Sequence, residues 1–287
     1  VVVGIVGLGL MGGSFALALK EHKLADIIVG SDHNEEHIKT ALDKNIIDSS
    51  VTIAELYNIA DIIIYAIPVS AIIKALKVLP DLKPNALIID LGGTKNTIIR
   101  AIPRNKRHHL VASHPMAGTE YSGPNAAFST LYENKVVVIC DEADSGSIQL
   151  NLARSIFEAM KMKIVSMRAS EHDRHAAFIS HMPHVISYAL ANSVINQEDT
   201  ESILTLAAGG FRDMSRLAKS SPAMWKDIFE QNNATVIAAL ENFEDELAIA
   251  KRNFSRKNWN GLEQWMKNAN KLHQVFTPNS DDNFPKE

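Results

Sequence analysis

The most constraining feature of this 287-residue chain is a glycine-rich turn that directly follows an apolar run at residues 1–6. The turn reads Gly7-Leu-Gly9-Leu-Met-Gly12, and a pattern typical of a helix follows it. In this spacing the first glycine permits a tight turn, the second lets the backbone approach a pyrophosphate, and the third lets the helix pack on the strand. The sequence therefore predicts a strand, a turn and a helix whose N-terminus holds a phosphate group.

A second apolar run, residues 27–30, leads into Asp32, about 20 residues beyond the last glycine of the turn. A carboxylate at this place accepts hydrogen bonds from both ribose hydroxyls and repels the additional 2′-phosphate of NADP. We therefore predict that the chain binds NAD as its cofactor. The expected cofactor-binding residues are Gly7, Gly9, Leu10, Met11, Gly12 and Asp32.

Composition narrows the classes of partner. A formal net charge of −4 gives no general attraction to nucleic acid or to an anionic membrane, and we expect neither as a partner. The single cysteine, Cys140, has no intrachain partner for a disulfide, which is typical of a cytoplasmic protein. The longest apolar stretch, residues 61–79, is interrupted by Pro68, Ser70 and Lys74, so no segment is expected to span a bilayer.

The pattern of apolar residues divides the chain into two parts. Short apolar runs alternate with helical patterns through residue 168, which predicts an α/β domain with a doubly wound, mainly parallel, Rossmann-like sheet. The predicted strands are residues 1–6, 27–30, 62–66, 86–90, 110–112, 136–140 and 164–167. Residues 169–287 show helical spacing instead and predict an all-helical substrate and dimerisation domain, with a homodimer burying its apolar faces. Residues 278–287 are expected to be disordered.

Histidines and arginines carry the candidate chemistry. His114 directly follows the predicted strand 110–112, where a histidine can remove a proton near neutral pH beside a bound cofactor. Four imidazoles, at positions 172, 175, 181 and 184, invite a metal site, but at about 100° per residue they do not share one face of a helix, and we predict no metal. Arg212 and Arg216 lie near a predicted helix start at Gly209, which favours a compensating anion such as Asp213 or a substrate carboxylate. The basic run 100–109 is expected to be a solvated turn without a function.

Several ordered motifs resemble the prephenate and arogenate dehydrogenases of tyrosine biosynthesis. The resemblance covers nearly the whole chain, through residues 7–14, 90–95, 114–120, 171–173, 180–184, 209–216 and 221–225. It implies NAD-dependent oxidative decarboxylation of prephenate to 4-hydroxyphenylpyruvate by a homodimer with intertwined helical domains. Arogenate is the alternative substrate, and the resemblance also implies L-tyrosine as a possible feedback ligand.

The resemblance also implies roles for individual residues. His114 would accept the proton of the substrate's ring hydroxyl, and His184 and Arg216 would bind substrate carboxylates. Thr119 and Gly209 would lie at the substrate, and Thr94 at the cofactor. Glu120 and Asp213 would hold Arg216 in place through an ionic network.

One position departs from the family pattern. Many relatives carry serine where this chain has Gly93, so the hydroxyl that orients the catalytic histidine and touches the nicotinamide is absent. Thr94 or a water molecule could replace it. Two other functions compete: a 3-hydroxyisobutyrate or 6-phosphogluconate type of dehydrogenase, which shares the glycine motif, and a non-catalytic NAD-sensing protein.

Overall fold

The computed structural model describes residues 1–119 and 121–276. Its centre is an eight-stranded sheet with the order β3-β2-β1-β4-β5-β6-β7-β8. Neighbouring strands run parallel except β6 and β7, which are antiparallel. The predicted doubly wound, mainly parallel sheet is therefore confirmed. The strands are β1 Val2–Val6, β2 Ile27–Ser31, β3 Ser49–Ser50, β4 Ile62–Tyr65, β5 Leu87–Asp90, β6 Leu110–Pro115, β7 Val136–Cys140 and β8 Lys163–Met167.

Helices connect the strands and make up the chain after β8. They are α1 Leu10–Glu21, α2 Glu35–Asp43, α3 Ile53–Ile59, α4 Val69–Lys77, α5 Asn96–Ala101, α6 Ser147–Ala159, α7 Ala169–Ala176, α8 Met182–Ile195, α9 Thr200–Thr205, α10 Gly209–Ser215, α11 Pro222–Gln231, α12 Asn233–Ser255 and α13 Trp259–Phe276. A π-helical turn, Ala177–His181, joins α7 to α8, and a 3-10 turn, Arg216–Lys219, follows α10.

Both faces of the sheet are buried, because successive side chains of a strand point to opposite sides. In β4, Ile62 and Ile64 join the apolar cluster that contains Phe15 of α1. Ile63 and Tyr65 join the cluster on the other face. This arrangement explains why the central strands are continuous apolar runs, and it fixes the ends of the strands from which the site is built.

Three elements differ from the prediction. The two-residue edge strand β3 carries only serines, so no apolar signal marked it. Strand β6 extends to Pro115, which places His114 inside the strand, paired with Val138, and not in the loop after it. The π-helical turn within residues 171–196 was not predicted, because the apolar spacing on either side of it is helical.

By contacts the chain divides into two compact units, Val1–Val236 and Ile237–Glu287. The first unit includes α7 to α11, and the boundary near Arg168 stays a prediction. In the second unit α13 returns to α12 through a hydrogen bond from Trp265 Nε1 to Glu246 Oε2, 2.7 Å long. Within the residues described, no helix is both long and apolar enough to cross a membrane.

Candidate functional site: a glycine turn and a histidine cluster

The turn at residues 7–12, called the glycine turn below, has the stereochemistry of a phosphate-binding loop. Gly7 has φ +95°, and a Cβ there would lie 2.5 Å from the Ala66 carbonyl oxygen. A Cβ on Gly12 would lie 1.9 Å from the Gly7 carbonyl oxygen, so only glycine fits at both positions. A Cβ on Gly9 would meet nothing within 4 Å, which leaves open space at the start of α1.

The start of α1 suits an anion. No side chain caps this helix, and its first turn, which includes Leu10 and Met11, contains no acidic residue. The free N–H groups and the helix dipole therefore remain available to a phosphate. Thr94 adds a second signal, because it is fully buried and its hydroxyl has no hydrogen-bond partner within the described residues. These features fit the predicted dinucleotide.

Asp32 follows β2 and is tied to the glycine turn. Its Oδ2 accepts a hydrogen bond from Leu8 N at 2.7 Å, and its Oδ1 accepts one from Asn34 N at 2.9 Å. Burial raises the pKa of Asp32, but the hydrogen bonds from Asn34, Leu8 and His37 outweigh burial and hold this pKa below its ordinary value. The carboxylate is therefore ionised and held in place, as it must be to accept hydrogen bonds from the ribose hydroxyls.

A second group of side chains, called the histidine cluster below, lies at the carboxyl end of β6 and on α7, the π-helical turn and α8. Its members are His114, His172, Asp173, His181 and His184. His114 Nδ1 lies 2.8 Å from His172 Nε2, and His172 Nδ1 lies 2.9 Å from Asp173 Oδ1. Asp173 in turn accepts hydrogen bonds from the backbone N–H groups of Lys95, at 2.7 Å, and Asn96, at 2.9 Å. The first three members thus form one hydrogen-bonded row.

His114 is a neutral imidazole in this environment. Burial lowers its pKa well below the ordinary value, and the positive charge of Lys95 acts in the same direction. The Lys95 ammonium is itself fully buried, paired with Asp90 and bonded to the Ser113 carbonyl at 2.5 Å. A buried neutral histidine at the end of a sheet strand can accept a proton from a bound alcohol.

The other end of the histidine cluster contacts Trp225 of α11. The His184 ring stacks on this indole at a centroid distance of 3.6 Å, and His184 Nδ1 lies 2.8 Å from the Ser180 carbonyl oxygen. Burial lowers the pKa of His184, and the charge of Arg216 lowers it further, although the bond to Ser180 raises it. The charge of Arg216 therefore acts on His184, as expected of two residues that bind one anionic ligand.

The remaining predicted residues are scattered in exposed segments. Thr119 lies in an exposed loop, where its hydroxyl accepts a hydrogen bond from Tyr121 N. Gly209 begins α10, as the sequence predicted. Asp213 and Arg216 are exposed, and no ion pair within 4 Å joins them in the described part of the chain. Glu120 lies outside the described residues, as does the predicted disordered tail 278–287. The roles of all five residues stay predictions.

Sequence reasoning missed three neighbours of these residues: His172 and Asp173 as partners of His114, and Asn232. Asn232 Nδ2 donates to the Asp173 carbonyl oxygen at 2.8 Å and lies 3.1 Å from His181 Nδ1. The signal for His172 was visible as a histidine followed by an aspartate, a pair that can orient another imidazole. Among the side chains of residues 1–119 and 121–272, no three His, Cys, Asp or Glu groups converge as metal ligands.

The basic run that we expected to be a solvated turn is partly structural. His109 is buried and bonded to the Ala86 carbonyl oxygen at 2.8 Å. Arg107 bonds to the carbonyl oxygens of Leu110 and Asp141, and Lys106 to that of Leu79. These side chains hold the 3-10 turn Arg104–His109 against the sheet, away from the histidine cluster's row of hydrogen bonds.

Comparison with known proteins gives a consistent result. The chain is 32% identical over 282 residues to a prephenate dehydrogenase of Lactococcus lactis, covering 95% of this chain and 76% of the relative. It is 30% identical to a cyclohexadienyl dehydrogenase of Zymomonas mobilis, with 97% of each chain covered. A crystal structure of prephenate dehydrogenase from A. aeolicus, in complex with hydroxyphenyl propionate and NAD+, superposes with a TM-score of 0.90 at 32% identity, covering 96% of this chain and 98% of that one.

Two family models match successive parts of the chain. Residues 15–166 match the nucleotide-binding domain of prephenate dehydrogenase, and residues 168–268 match its dimerization domain. Together they cover most of the sequence, including residues 15–21 of α1 and every member of the histidine cluster. The chain belongs to the prephenate dehydrogenase family.

Proposed function

We propose that this protein catalyses the NAD-dependent oxidative decarboxylation of prephenate to 4-hydroxyphenylpyruvate, with His114 as the base. The observation that carries the residue assignment is the buried, neutral imidazole of His114 at the carboxyl end of β6. Substrates of doubly wound folds bind beyond the carboxyl ends of the strands, where the glycine turn also lies. Family membership confirms the predicted enzyme class and supports prephenate as the substrate.

The reaction needs one proton acceptor and one hydride acceptor. NAD bound at the glycine turn supplies the hydride acceptor. His114 takes the proton of the ring hydroxyl as that carbon becomes a carbonyl and its hydride departs. The bond to the ring carboxylate then breaks, carbon dioxide leaves, and the electron pair of that bond enters the ring and turns the carbonyl oxygen into a phenolate. His114 returns its proton to this oxygen, which gives the phenol of the product. Formation of an aromatic ring makes the reaction irreversible, so the protein's residues have to align the substrate and hold a single proton.

Arg216 and His184 are the candidates for binding a dianionic substrate. Arg216 supplies a permanent positive charge, and His184 lies close enough to be affected by this charge. Stacking on Trp225 holds the His184 ring in one plane. We assign these two side chains to the carboxylates, with Thr119 and Gly209 beside the substrate and Glu120 and Asp213 as ionic partners of Arg216.

We further propose that the enzyme works as a homodimer in the cytoplasm. The second compact unit exposes a set of large apolar side chains: Ile237, Leu247, Phe254, Trp259, Met266 and Leu272. A set of large apolar side chains exposed on one unit is typical of a surface that associates with another chain. The match to a model described as a dimerization domain supports this assignment. L-tyrosine as a feedback inhibitor is a further proposal, tested by its effect on the rate.

One assay tests the function. Purified protein is mixed with NAD and prephenate, and NADH is followed by its absorbance while 4-hydroxyphenylpyruvate is identified by mass spectrometry. Turnover with prephenate exceeding turnover with arogenate supports the proposal. Faster turnover with arogenate would reassign the substrate, and absence of NADH with either compound would contradict the function.

A further inference from the structure

We propose that Asp173 and His172 are positioning residues that fix His114 in the tautomer protonated at Nδ1, so that its Nε2 presents a lone pair to the substrate. This inference deepens the proposed function, because it rests on His114 being the base. It concerns which nitrogen of the base carries the hydrogen, a choice on which proton transfer depends.

Asp173 can only accept hydrogen bonds. Each of its carboxylate oxygens receives a backbone N–H, Oδ1 from Lys95 and Oδ2 from Asn96. Burial raises the pKa of Asp173, but the bonds from His172, Asn96 and Lys95 outweigh burial and hold this pKa below its ordinary value. Because the carboxylate is ionised and has no proton to give, His172 Nδ1 must donate across the 2.9 Å contact to Oδ1.

The protonation of His172 then determines which ring donates the hydrogen bond between His172 and His114. A neutral imidazole protonated at Nδ1 has a lone pair at Nε2, so His172 Nε2 accepts a hydrogen bond. Its partner at 2.8 Å is His114 Nδ1, which therefore carries the hydrogen and donates it. His114 Nε2 is left unprotonated. The two rings meet edge to face, with an interplanar angle of 74°, which also restricts rotation of the His114 ring.

The competing arrangement gives the opposite result. If His172 were an imidazolium, it would donate from both nitrogens, and His114 Nδ1 would be the acceptor. His114 would then carry its hydrogen at Nε2 and could not take a proton there. This arrangement also adds a positive charge to a pocket in which the ammonium of Lys95 is already buried. The two arrangements differ in an observable, the protonated nitrogen of His114.

The surroundings keep the pair immobile. His172 and Asp173 are each only 2% exposed. Asn232, which directly follows α11, donates to the Asp173 carbonyl oxygen, so the backbone of α7 is held at the same place as the carboxylate. Buried partners that are themselves hydrogen-bonded define a single orientation for the group that they contact.

The pair of His172 and Asp173 also explains how His114 can be oriented although position 93 is glycine and carries no hydroxyl. A Cβ at this position would lie 4.0 Å from His114 Nε2 and 3.5 Å from Ile228 Cδ1, so the residue faces the reactive nitrogen of the base. A serine hydroxyl at position 93 would act on that nitrogen. His172 acts on the opposite nitrogen and leaves Nε2 free for the substrate. Orientation of His114 in this chain therefore does not depend on a hydroxyl at position 93.

The decisive experiment is nitrogen NMR on protein with ¹⁵N-labelled histidine, without substrate. Long-range proton–nitrogen spectra distinguish the two tautomers, and the signals lost in His114→Asn identify His114. We expect Nδ1–H with an unprotonated Nε2 at pH 7.5. An Nε2–H tautomer of His114 would overturn the proposal. Because no turnover is involved, this result stands apart from the outcome of the prephenate assay.

A kinetic comparison of variants at position 172 supplies the second readout. His172→Phe keeps an aromatic ring but removes the acceptor, and we expect kcat to fall about 10²-fold, with the KM for NAD unchanged, in the range of a misaligned general base. His172→Gln retains an acceptor oxygen and should recover part of that loss. His175→Phe is the matched control on the same helix, because His175 contacts the exposed Arg174 side chain.

These measurements distinguish a role of His172 in positioning His114 from a role in the stability of the fold. Folding is checked by circular dichroism and by NAD affinity. A kcat of folded His172→Phe within twofold of the unaltered enzyme would overturn the proposal, as would equal losses in the Phe and Gln variants. If His172→Phe does not fold, the tautomer of His114 in the unaltered protein and the activity of His172→Gln decide the question.

Discussion

The glycine turn and the histidine cluster perform neighbouring tasks but are encoded differently. The turn is specified by a few consecutive residues, because the 1.9 Å approach between a Cβ at position 12 and the Gly7 oxygen arises within one loop. The row from His114 to Asp173 joins residues 58 positions apart on two elements. A local steric requirement can be recognised in a sequence, whereas a contact that only the tertiary fold creates cannot. The predictions below test this contrast, beginning with the largest effect.

His114→Asn removes the base and keeps a polar side chain of similar size. We expect kcat to fall about 10²–10⁴-fold, the range typical of a general base, with little change in NAD affinity. Steady-state kinetics and a fluorescence titration with NAD measure the two quantities. If the variant retained the turnover of the unaltered enzyme, His114 would not be the base.

Gly12→Ala tests the local requirement of the glycine turn. Because the new methyl group would overlap the Gly7 carbonyl, we expect the free energy of unfolding to drop by about 1–3 kcal/mol. Gly9→Ala is the matched control, since its methyl group meets only open space; its stability should stay unchanged while NAD affinity decreases. Chemical denaturation and NAD titration of both variants check this, and equal stability losses would contradict it.

Arg216→Ala removes a charge-assisted contact to a substrate carboxylate. Such contacts contribute about 1.5–3 kcal/mol, so we expect the KM for prephenate to rise roughly tenfold or more, with a smaller change in kcat. The KM for NAD serves as the internal control. A KM for prephenate equal to that of the unaltered enzyme would remove Arg216 from the substrate site.

Asp32→Ser tests the cofactor preference predicted from the end of β2. Removing a carboxylate near the ribose relieves repulsion of about 1 kcal/mol against a 2′-phosphate, so the preference for NAD over NADP should narrow by roughly fivefold. The ratio of kcat/KM for the two cofactors measures it. An unchanged ratio would show that another group selects the cofactor.

The smallest effect is expected from pH. The base form of His114 persists to lower pH than that of an ordinary histidine, because burial and the charge of Lys95 lower its pKa. Protonation therefore removes activity only below the ordinary value of 6.5, and kcat should remain nearly flat from about pH 8 to that value. A decline of kcat that begins above pH 7 would contradict a neutral, buried base.

The sequence predicted the sheet well for a physical reason. Strands buried on both faces are continuous apolar runs, and each predicted run corresponds to an observed strand. The cofactor, the enzyme class and the family are confirmed as well. The serine-only β3 and the extension of β6 through His114 were missed, because hydrogen bonding to a neighbouring strand defines both.

The histidine-rich segment shows where spacing arguments fail. The spacing argument places the four imidazoles on a regular helix. Pro183 lies in the first turn of α8, where proline is tolerated, and the irregularity is the π-helical turn before it. This turn shifts His184 relative to His172, so their partners could not be derived from 100° per residue. The assignments of individual site residues remain predictions.

Asp173 has a mechanical consequence for the enzyme. Its carboxylate holds the backbone of Lys95 and Asn96, immediately after Thr94, while its neighbour His172 holds His114. One rigid joint therefore fastens the loop facing the cofactor and the ring that takes the proton. A change in the position of α7 would therefore alter both contacts at once, the one to the backbone beside Thr94 and the one to the His114 ring.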